Sequence, residues 1–285
     1  MLIRKLITVA IAVLAVSTLV SGCGQAEDLT AQEVIGKTVG AYSSVQTVKM
    51  TSTMSMNMDI TEEGKTTEAS IDIDIDGSMN VKETEMAMTM SMEMDIPEMD
   101  KQSVSYNMYI VDNWMYMRIE APVVGEQWIK SELDMETWAQ QNQLSRQIEL
   151  LKTAIGVTSA GTETVDGVDC YVLEISPDMA ALTSYITSQM GQQAGTKLPD
   201  DVDLSKMFKS VTIKEWISRE SFLPVKTDMK MTIDIQEDDL DTDTDGSGNM
   251  TMDMAMIIKY FDYNKPVTIV LPAGAANAIE QPLTQ

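Results

Sequence analysis

Apolar and polar residues alternate over three long stretches near the start of the chain. Apolar residues mostly occupy even positions over 48–60, odd positions over 69–81, and even positions again over 86–96. Successive side chains of a β-strand point to opposite faces of its sheet, so this pattern predicts antiparallel strands with one dry and one wet face. Strands usually run about 5–6 residues. The longer stretches here predict a large, curved sheet.

The sequence of the remaining chain predicts shorter strands and three helices. A capping-box pattern at residues 30–33 predicts a helix start at Thr30. Apolar residues at helical spacing predict a second helix over 134–155, and Pro177 opens a third to about Met190. Further strands are predicted at 104–111, 114–119, 127–131, 158–165, 168–175, 211–218, 225–235, 250–260 and 266–270. This order predicts one α+β domain with helices packed on the dry face of the sheet.

The first residues have the three-part layout of a secretory signal. Arg4 and Lys5 precede an apolar run over 6–20, and small residues precede Cys23. The run is shorter than the roughly 20 residues that span a bilayer, which disfavours a transmembrane anchor. The terminal cysteine makes the segment resemble a bacterial-type lipoprotein signal, in which that cysteine is acylated.

These signals predict the domain boundaries. Residues 1–22 are expected to form the lipoprotein signal peptide, and 23–29 a short lipid-anchored tether. Residues 30–270 are expected to form one domain that contains the curved sheet. Residues 271–285, which contain Ala, Gly and Pro, are expected to be a loose C-terminal tail.

The charge of the chain restricts its partners. The formal net charge is −24. The charged side chains of segment 1–22 are all positive, so the chain that remains after removal of this segment is more negative still. Such a surface repels nucleic acid and does not adhere to an anionic membrane by charge. We therefore expect no nucleic-acid partner and a membrane attachment through lipidated Cys23.

The scarcity of histidine and cysteine argues against catalysis. The chain has no His, which removes Ser-His-Asp and Cys-His chemistry and His-ligated zinc. Apart from Cys23 the only cysteine is Cys170, which is expected to be a small buried hydrophobe. No nucleotide-binding loop is present. The sequence therefore predicts a protein that is not an enzyme and has no cofactor.

Methionine is the most unusual part of the composition, with 25 residues, and three interpretations of the methionine stripes compete. The first interpretation is that methionine fills the core. A pliable thioether wall also suits a guest with many conformers, such as an acyl chain. Thioethers further select Cu(I), although one ion would need ligands from neighbouring strands. We favour the ligand wall, and the expected lining residues are Met54, Met56, Met58, Met88, Met90, Met92, Met252 and Met254.

An acidic loop follows the predicted strand 225–235. Asp241, Asp243 and Asp245 match the first half of a calcium-binding EF-hand loop, but position twelve is Met252 rather than Glu. The flanking segments are predicted strands rather than helices. A solvated turn is the favoured interpretation, with these three carboxylates as a weak Ca²⁺ candidate.

Several short motifs resemble those of the LolA-like superfamily, in particular LppX/LprG-type lipoproteins. The matching segments are AYSSV at 41–45, NWMYM at 113–117, QWIK at 127–130, VDGV at 165–168, YVL at 171–173, EWIS at 215–218, LPVK at 223–226 and FDYNKPV at 261–267. The resemblance implies a strongly curved antiparallel β half-barrel with helices covering its concave face. It also implies that this face holds acyl chains or a lipidated client.

Taken together, the sequence predicts a non-catalytic extracytoplasmic lipoprotein anchored to the cell membrane or outer membrane. It is expected to bind a lipid or lipidated client in a Met-lined cavity, as a carrier or an envelope sensor. Two alternatives stay open: a Met-based Cu(I) or Ag(I) binding protein, and a structural envelope lipoprotein with a filled core.

Overall fold

The structure is a computed structural model that describes residues 29–62, 64–97, 100–121, 125–133, 156–177, 207–235 and 248–281. Its internal contacts divide the chain into two units, Met1–Thr30 and Ala31–Gln285. Of the first unit only Leu29 and Thr30 are described. The fold discussed below is that of the second unit.

A single 12-stranded sheet dominates the described part of the chain. The α-helix α1 (Ala31–Tyr42) precedes the strands, and a short 3-10 helix (Ala273–Asn277) precedes the last one. The strands are β1 (Thr47–Glu62), β2 (Lys65–Asn80), β3 (Glu85–Asp95), β4 (Gln102–Val111), β5 (Trp114–Ala121), β6 (Gly125–Glu132), β7 (Gly156–Val165), β8 (Val168–Ser176), β9 (Phe208–Ser218), β10 (Pro224–Ile235), β11 (Gly248–Phe261) and β12 (Ile279–Glu280).

Strand order is sequential except at the centre and at one edge. It runs β12-β6-β5-β4-β3-β2-β1-β11-β10-β9-β8-β7, so β1 pairs with β11 across almost the whole chain. Neighbouring strands are antiparallel apart from β12, which lies parallel to β6. The sheet is therefore open and mixed, whereas the sequence predicted purely antiparallel pairing.

Tight turns join several of the hairpins. Asp112-Asn113 and Asp166-Gly167 have positive φ at both residues, as the predicted two-residue turns require. The long pairs β1–β2 and β2–β3 keep continuous register with no bulge. Because directly opposed residues share a face, this register places the apolar side chains of β1, β2 and β3 on the same face of the sheet.

The helical part of the prediction is only partly supported. The described residues contain one α-helix, α1, which begins directly after Thr30 as the capping pattern predicts. The helices predicted over 134–155 and from Pro177 to Met190 lie almost wholly outside the described residues. Helices covering a concave face are therefore not supported by the part of the chain that is described.

The C-terminal segment also differs from its prediction. Residues 266–270 are not a strand, and the segment predicted as a loose tail instead contains the 3-10 helix and β12. Ile279 pairs with Ile129, and Gln281 N donates a 2.9 Å hydrogen bond to Lys130 O. Ala275 is buried. The small residues of this segment let it lie close against β6.

Two small buried clusters flank the sheet. One joins the end of α1 to β1 through Tyr42, Val45, Val48 and Leu223. The other consists of Cys170, Val172 and Trp216. Cys170 is fully buried, as predicted, and burial raises the pKa of its thiol to about 11.

Candidate functional site

All eight methionines predicted as ligand wall lie on one face of the sheet, which we call the methionine face. Met54, Met56 and Met58 of β1 are opposite Met256, Met254 and Met252 of β11. On the other side, Met54 is opposite Ile73, which is opposite Met92 in β3. Met88 and Met90 alternate with polar residues on the same strand as Met92, so they share that face.

Methionines form three cross-strand rows on this face. The first row is Met229–Met256–Met54 and the second is Met231–Met254–Met56, each crossing β10, β11 and β1. The third is Met88–Met108–Met117, which crosses β3, β4 and β5. Directly opposed Cβ atoms in antiparallel strands lie about 4.5–5.5 Å apart. The thioethers of each row are therefore neighbours.

Sequence reasoning missed part of these rows. Met229, Met231 and Met256 belong to recognisable period-two stripes and were detectable in that way. Met108 is the one methionine of β4, and Met117 shares its face of β5 only with Met115, so neither belongs to a long stripe in the sequence. Their position opposite Met88 follows only from the register of β3, β4 and β5.

The methionine face is covered only in part. Each of the eight predicted wall residues is half-buried rather than buried. Buried apolar residues do occur on the same face, including Ile73, Met86 and Ile110. A filled core typically buries its side chains almost completely, so half-burial along a whole methionine stripe leaves apolar surface accessible to a guest.

Three buried polar side chains interrupt the face in a single cross-strand row. Glu215 of β9 is opposite Thr227 of β10, which is opposite Ile258, which in turn is opposite Ser52 of β1. Ser52, Thr227 and Glu215 are 4%, 8% and 2% exposed. Of the three, the Ser52 hydroxyl has no hydrogen-bond partner in the described part of the structure, and a polar group buried in that way costs about 1–3 kcal/mol.

Tyrosines surround the Glu215 end of this row. Burial raises the pKa of Tyr42 far above its usual range, and the charge of Glu215 and then the neighbouring Tyr263 and Tyr260 raise it further. Burial likewise raises the pKa of Tyr263, whose hydroxyl donates a 3.0 Å hydrogen bond to Pro224 O. One end of the methionine face is therefore polar and enclosed, next to the end of α1.

The opposite face is polar and acidic. Asp72 and Asp74 of β2 alternate with isoleucines, and Asp72 lies opposite Glu93 of β3. Arg118 donates to Glu120 at 2.7 Å and to Glu126 at 3.1 Å on the same face. Within the described ranges no cluster of three or more His, Cys, Asp or Glu residues could hold a metal ion.

Two of the predicted sites have no position in the described part of the structure. Cys23 and the weak Ca²⁺ candidates Asp241, Asp243 and Asp245 lie outside the described residues. In the part of the chain that is described, no helix is long and apolar enough to cross a membrane.

The sequence from residue 30 to 280 matches the model of a family of unknown function, DUF6612. The chain belongs to this family. No curated protein shows significant similarity to the sequence. The matched range begins at the predicted domain start, Thr30, and extends past its predicted end to include the 3-10 helix and β12.

Solved structures similar to this chain include two mycobacterial proteins. LprF from Mycobacterium bovis is 15% identical, with a TM-score of 0.42, over 86% of this chain and 97% of its own. LppX from Mycobacterium tuberculosis is 13% identical, with a TM-score of 0.36, over 84% and 97%. A domain from Vibrio parahaemolyticus named for outer membrane lipoprotein sorting is 11% identical, with a TM-score of 0.23, over 82% and 92%.

LppX bears the name of the lipoprotein group that the sequence motifs resemble. All three TM-scores lie below 0.5. The function proposed next is therefore argued from the residues of this chain.

Proposed function

We propose that this protein is a non-catalytic, membrane-anchored lipoprotein that binds an acyl chain or a lipidated client on its methionine face. The observation that carries the proposal is the half-burial of most methionines on one face of β10, β11, β1, β3, β4 and β5. The isoleucines of β2 lie between β1 and β3 on the same face. A soluble protein rarely leaves a large contiguous apolar surface accessible unless it binds something there.

The side-chain chemistry of the face suits a flexible apolar guest. Methionine is unbranched, has three rotatable bonds and carries a polarizable sulfur, so it adapts to irregular and changing shapes. Met-rich surfaces are used where one site accepts several conformers or several ligands. Acyl chains present such variety, whereas a rigid ligand is matched better by stiff, branched side chains.

Lipid recovery from the purified protein tests the proposal. We would isolate the full-length protein in an amphipathic polymer without detergent and quantify bound lipid by mass spectrometry. Met56→Gln with Met254→Gln places two polar side chains in the second methionine row. Thr53→Gln with Asn57→Gln, on the exposed opposite face of β1, is the matched control.

The expected result is lipid on the wild type and the control, and at least a fivefold loss on the Met56→Gln/Met254→Gln variant. Equal lipid on all three proteins would show that the lipid is bound elsewhere. If no lipid is recovered from the wild type and none binds when added, the lipid-binding proposal fails, and a structural lipoprotein with a filled core is favoured.

Anchoring through an acylated Cys23 is the second part of the proposal. It rests on the signal-like segment before Cys23 and on the negative charge, which provides no electrostatic attachment to an anionic surface. Two or more acyl chains give a stable anchor. Metabolic labelling with palmitate should mark the wild type and not Cys23→Ala, and unlabelled wild type would refute the anchor.

Soft-metal binding is a second candidate function, favoured by the cross-strand rows. The register brings three thioethers from three strands together, as in Met231–Met254–Met56, which is what one Cu(I) or Ag(I) ion requires. Titration of Cu(I) under reducing conditions should then saturate at a defined stoichiometry. Met56→Gln/Met254→Gln should remove one ion, and the absence of saturable binding rejects this candidate.

A further inference from the structure

Ser52 is a buried hydroxyl without a hydrogen-bond partner. Its side chain lies on the methionine face, and its Oγ is the one buried side-chain polar atom without a partner in the described part of the structure. The neighbouring positions on the same face are Met50, Met54, Ile75 and Ile258, which have apolar side chains. The hydroxyl is therefore held in an apolar environment.

The position of this hydroxyl is informative because the other residues on that side of β1 are apolar from Val48 to Ile60. Beyond Ser52 the face continues along β1 as Met54, Met56, Met58 and Ile60. Alternate residues of a strand are about 6.6–6.8 Å apart, so Met54 to Ile60 spans roughly 20 Å. Ser52 lies at the start of this run, in the same cross-strand row as Glu215.

We propose that Ser52 is a ligand-binding residue that donates a hydrogen bond to the carbonyl oxygen of an acyl ester while the acyl chain lies along the methionine run. This inference rests on the proposed lipid-binding function and specifies its ligand as an ester-bearing amphiphile. A hydroxyl that lacks a partner in the free protein loses no protein hydrogen bond when it binds such a carbonyl. The same hydroxyl contributes nothing to the binding of a plain hydrocarbon.

The test compares two fluorescent probes on the full-length protein in an amphipathic polymer. Both carry the same alkyl chain, one through an ester and the other through an ether that lacks the carbonyl. The wild type should bind the ester probe about fivefold to tenfold more tightly than the ether probe. Ser52→Ala should bind the two probes equally while keeping the ether affinity of the wild type.

Ser55→Ala is the matched control, because Ser55 lies on the same strand and faces the opposite side. It should keep the ester preference. Thermal unfolding of lipid-free protein gives a second readout, since removing a buried unpartnered hydroxyl should leave the melting temperature of Ser52→Ala unchanged or raised.

The outcomes separate this inference from the function on which it rests. If the wild type binds both probes without preference, or if Ser52→Ala keeps the preference, Ser52 is not an ester anchor although the lipid-binding proposal survives. If the wild type binds neither probe, the lipid-binding proposal fails and the inference fails with it.

Discussion

Met50 lies over Gly77, its cross-strand partner on the methionine face. A Cβ added to Gly77 would be 3.1 Å from Met50 Cγ, 3.7 Å from its Cε and 3.8 Å from its Sδ. The glycine leaves a gap in the row between Met50 and Met88, and the thioether of Met50 occupies it. This part of the face is therefore filled by a flexible side chain.

Substitution of Gly77 should reveal how adaptable that side chain is. We expect Gly77→Ala to change the free energy of unfolding by less than about 1 kcal/mol, because Met50 can move by a few tenths of an ångström. Gly77→Val should destabilise by about 1–3 kcal/mol because the larger side chain cannot be accommodated in this way. Urea unfolding measures both values. Equal losses for the two variants would show that Met50 is held rigidly.

Gly274 should control the docking of the C-terminal segment. A Cβ there would be 2.8 Å from Trp128 Nε1, and that indole stacks on Tyr109 and donates a 3.0 Å hydrogen bond to Glu126. The ring has little room to move, so Gly274→Ala should displace the 3-10 helix and loosen β12. Hydrogen exchange should then accelerate at the Gln281 amide, which bonds to Lys130 O.

Gly36→Ala is the control for this substitution. A Cβ on Gly36 meets nothing within 4 Å, and the residue is exposed on α1. Alanine is favoured over glycine in helix interiors by about 0.5–1 kcal/mol, so this variant should be slightly more stable, with unchanged exchange at Gln281. Unchanged exchange in Gly274→Ala as well would contradict the close packing against Trp128.

The period-two pattern identified the methionine face because side-chain direction in a strand is a local property. Which strands become neighbours is not local. Met54 and Met256 are opposite only because β1 pairs with β11 across most of the chain, and no signal near either residue specifies that pairing. The three-methionine rows could therefore not be derived from the sequence.

The role of Ser52 could not be predicted from the sequence either. In the sequence it is a small polar residue that interrupts an apolar stripe, which is common in partly solvated strands. Only the structure shows that its hydroxyl is buried and lacks a partner. The C-terminal segment could not be predicted for a related reason. Its small residues suggest a loose chain, and only the structure shows that Gly274 packs closely against Trp128.

Cys170 should react with iodoacetamide only after unfolding. Burial raises the pKa of its thiol to about 11, so the reactive thiolate is scarce at neutral pH in the folded protein. The unfolded thiol loses its proton first as pH rises past its ordinary value of about 8.5, so folding stability should fall between that pH and about 11. Cys170→Ala should reduce this fall. Rapid labelling of native protein would refute the burial.

Tyr42 and Tyr263 should remain protonated in the folded protein at alkaline pH. Burial is the main cause that raises the pKa of both phenols, so the native state keeps its protons when unfolded tyrosine, with a pKa of about 10, has released them. Stability should therefore decrease above pH 10. The tyrosinate absorbance of these two residues should appear only as the circular dichroism of the folded protein is lost. Tyr42→Phe should remove part of this late rise in absorbance.

Oxidation of the methionine face should show whether lipid is bound to it. A sulfoxide converts a flexible apolar side chain into a polar one, so mild peroxide treatment of lipid-free protein should oxidise the half-buried Met54, Met56 and Met254 and reduce lipid binding severalfold. Bound lipid should slow oxidation of these three residues, as measured by peptide mass spectrometry. Met86, which is 8% exposed, is the internal control and should react slowly in both states. Equal oxidation with and without lipid would place the lipid away from this face.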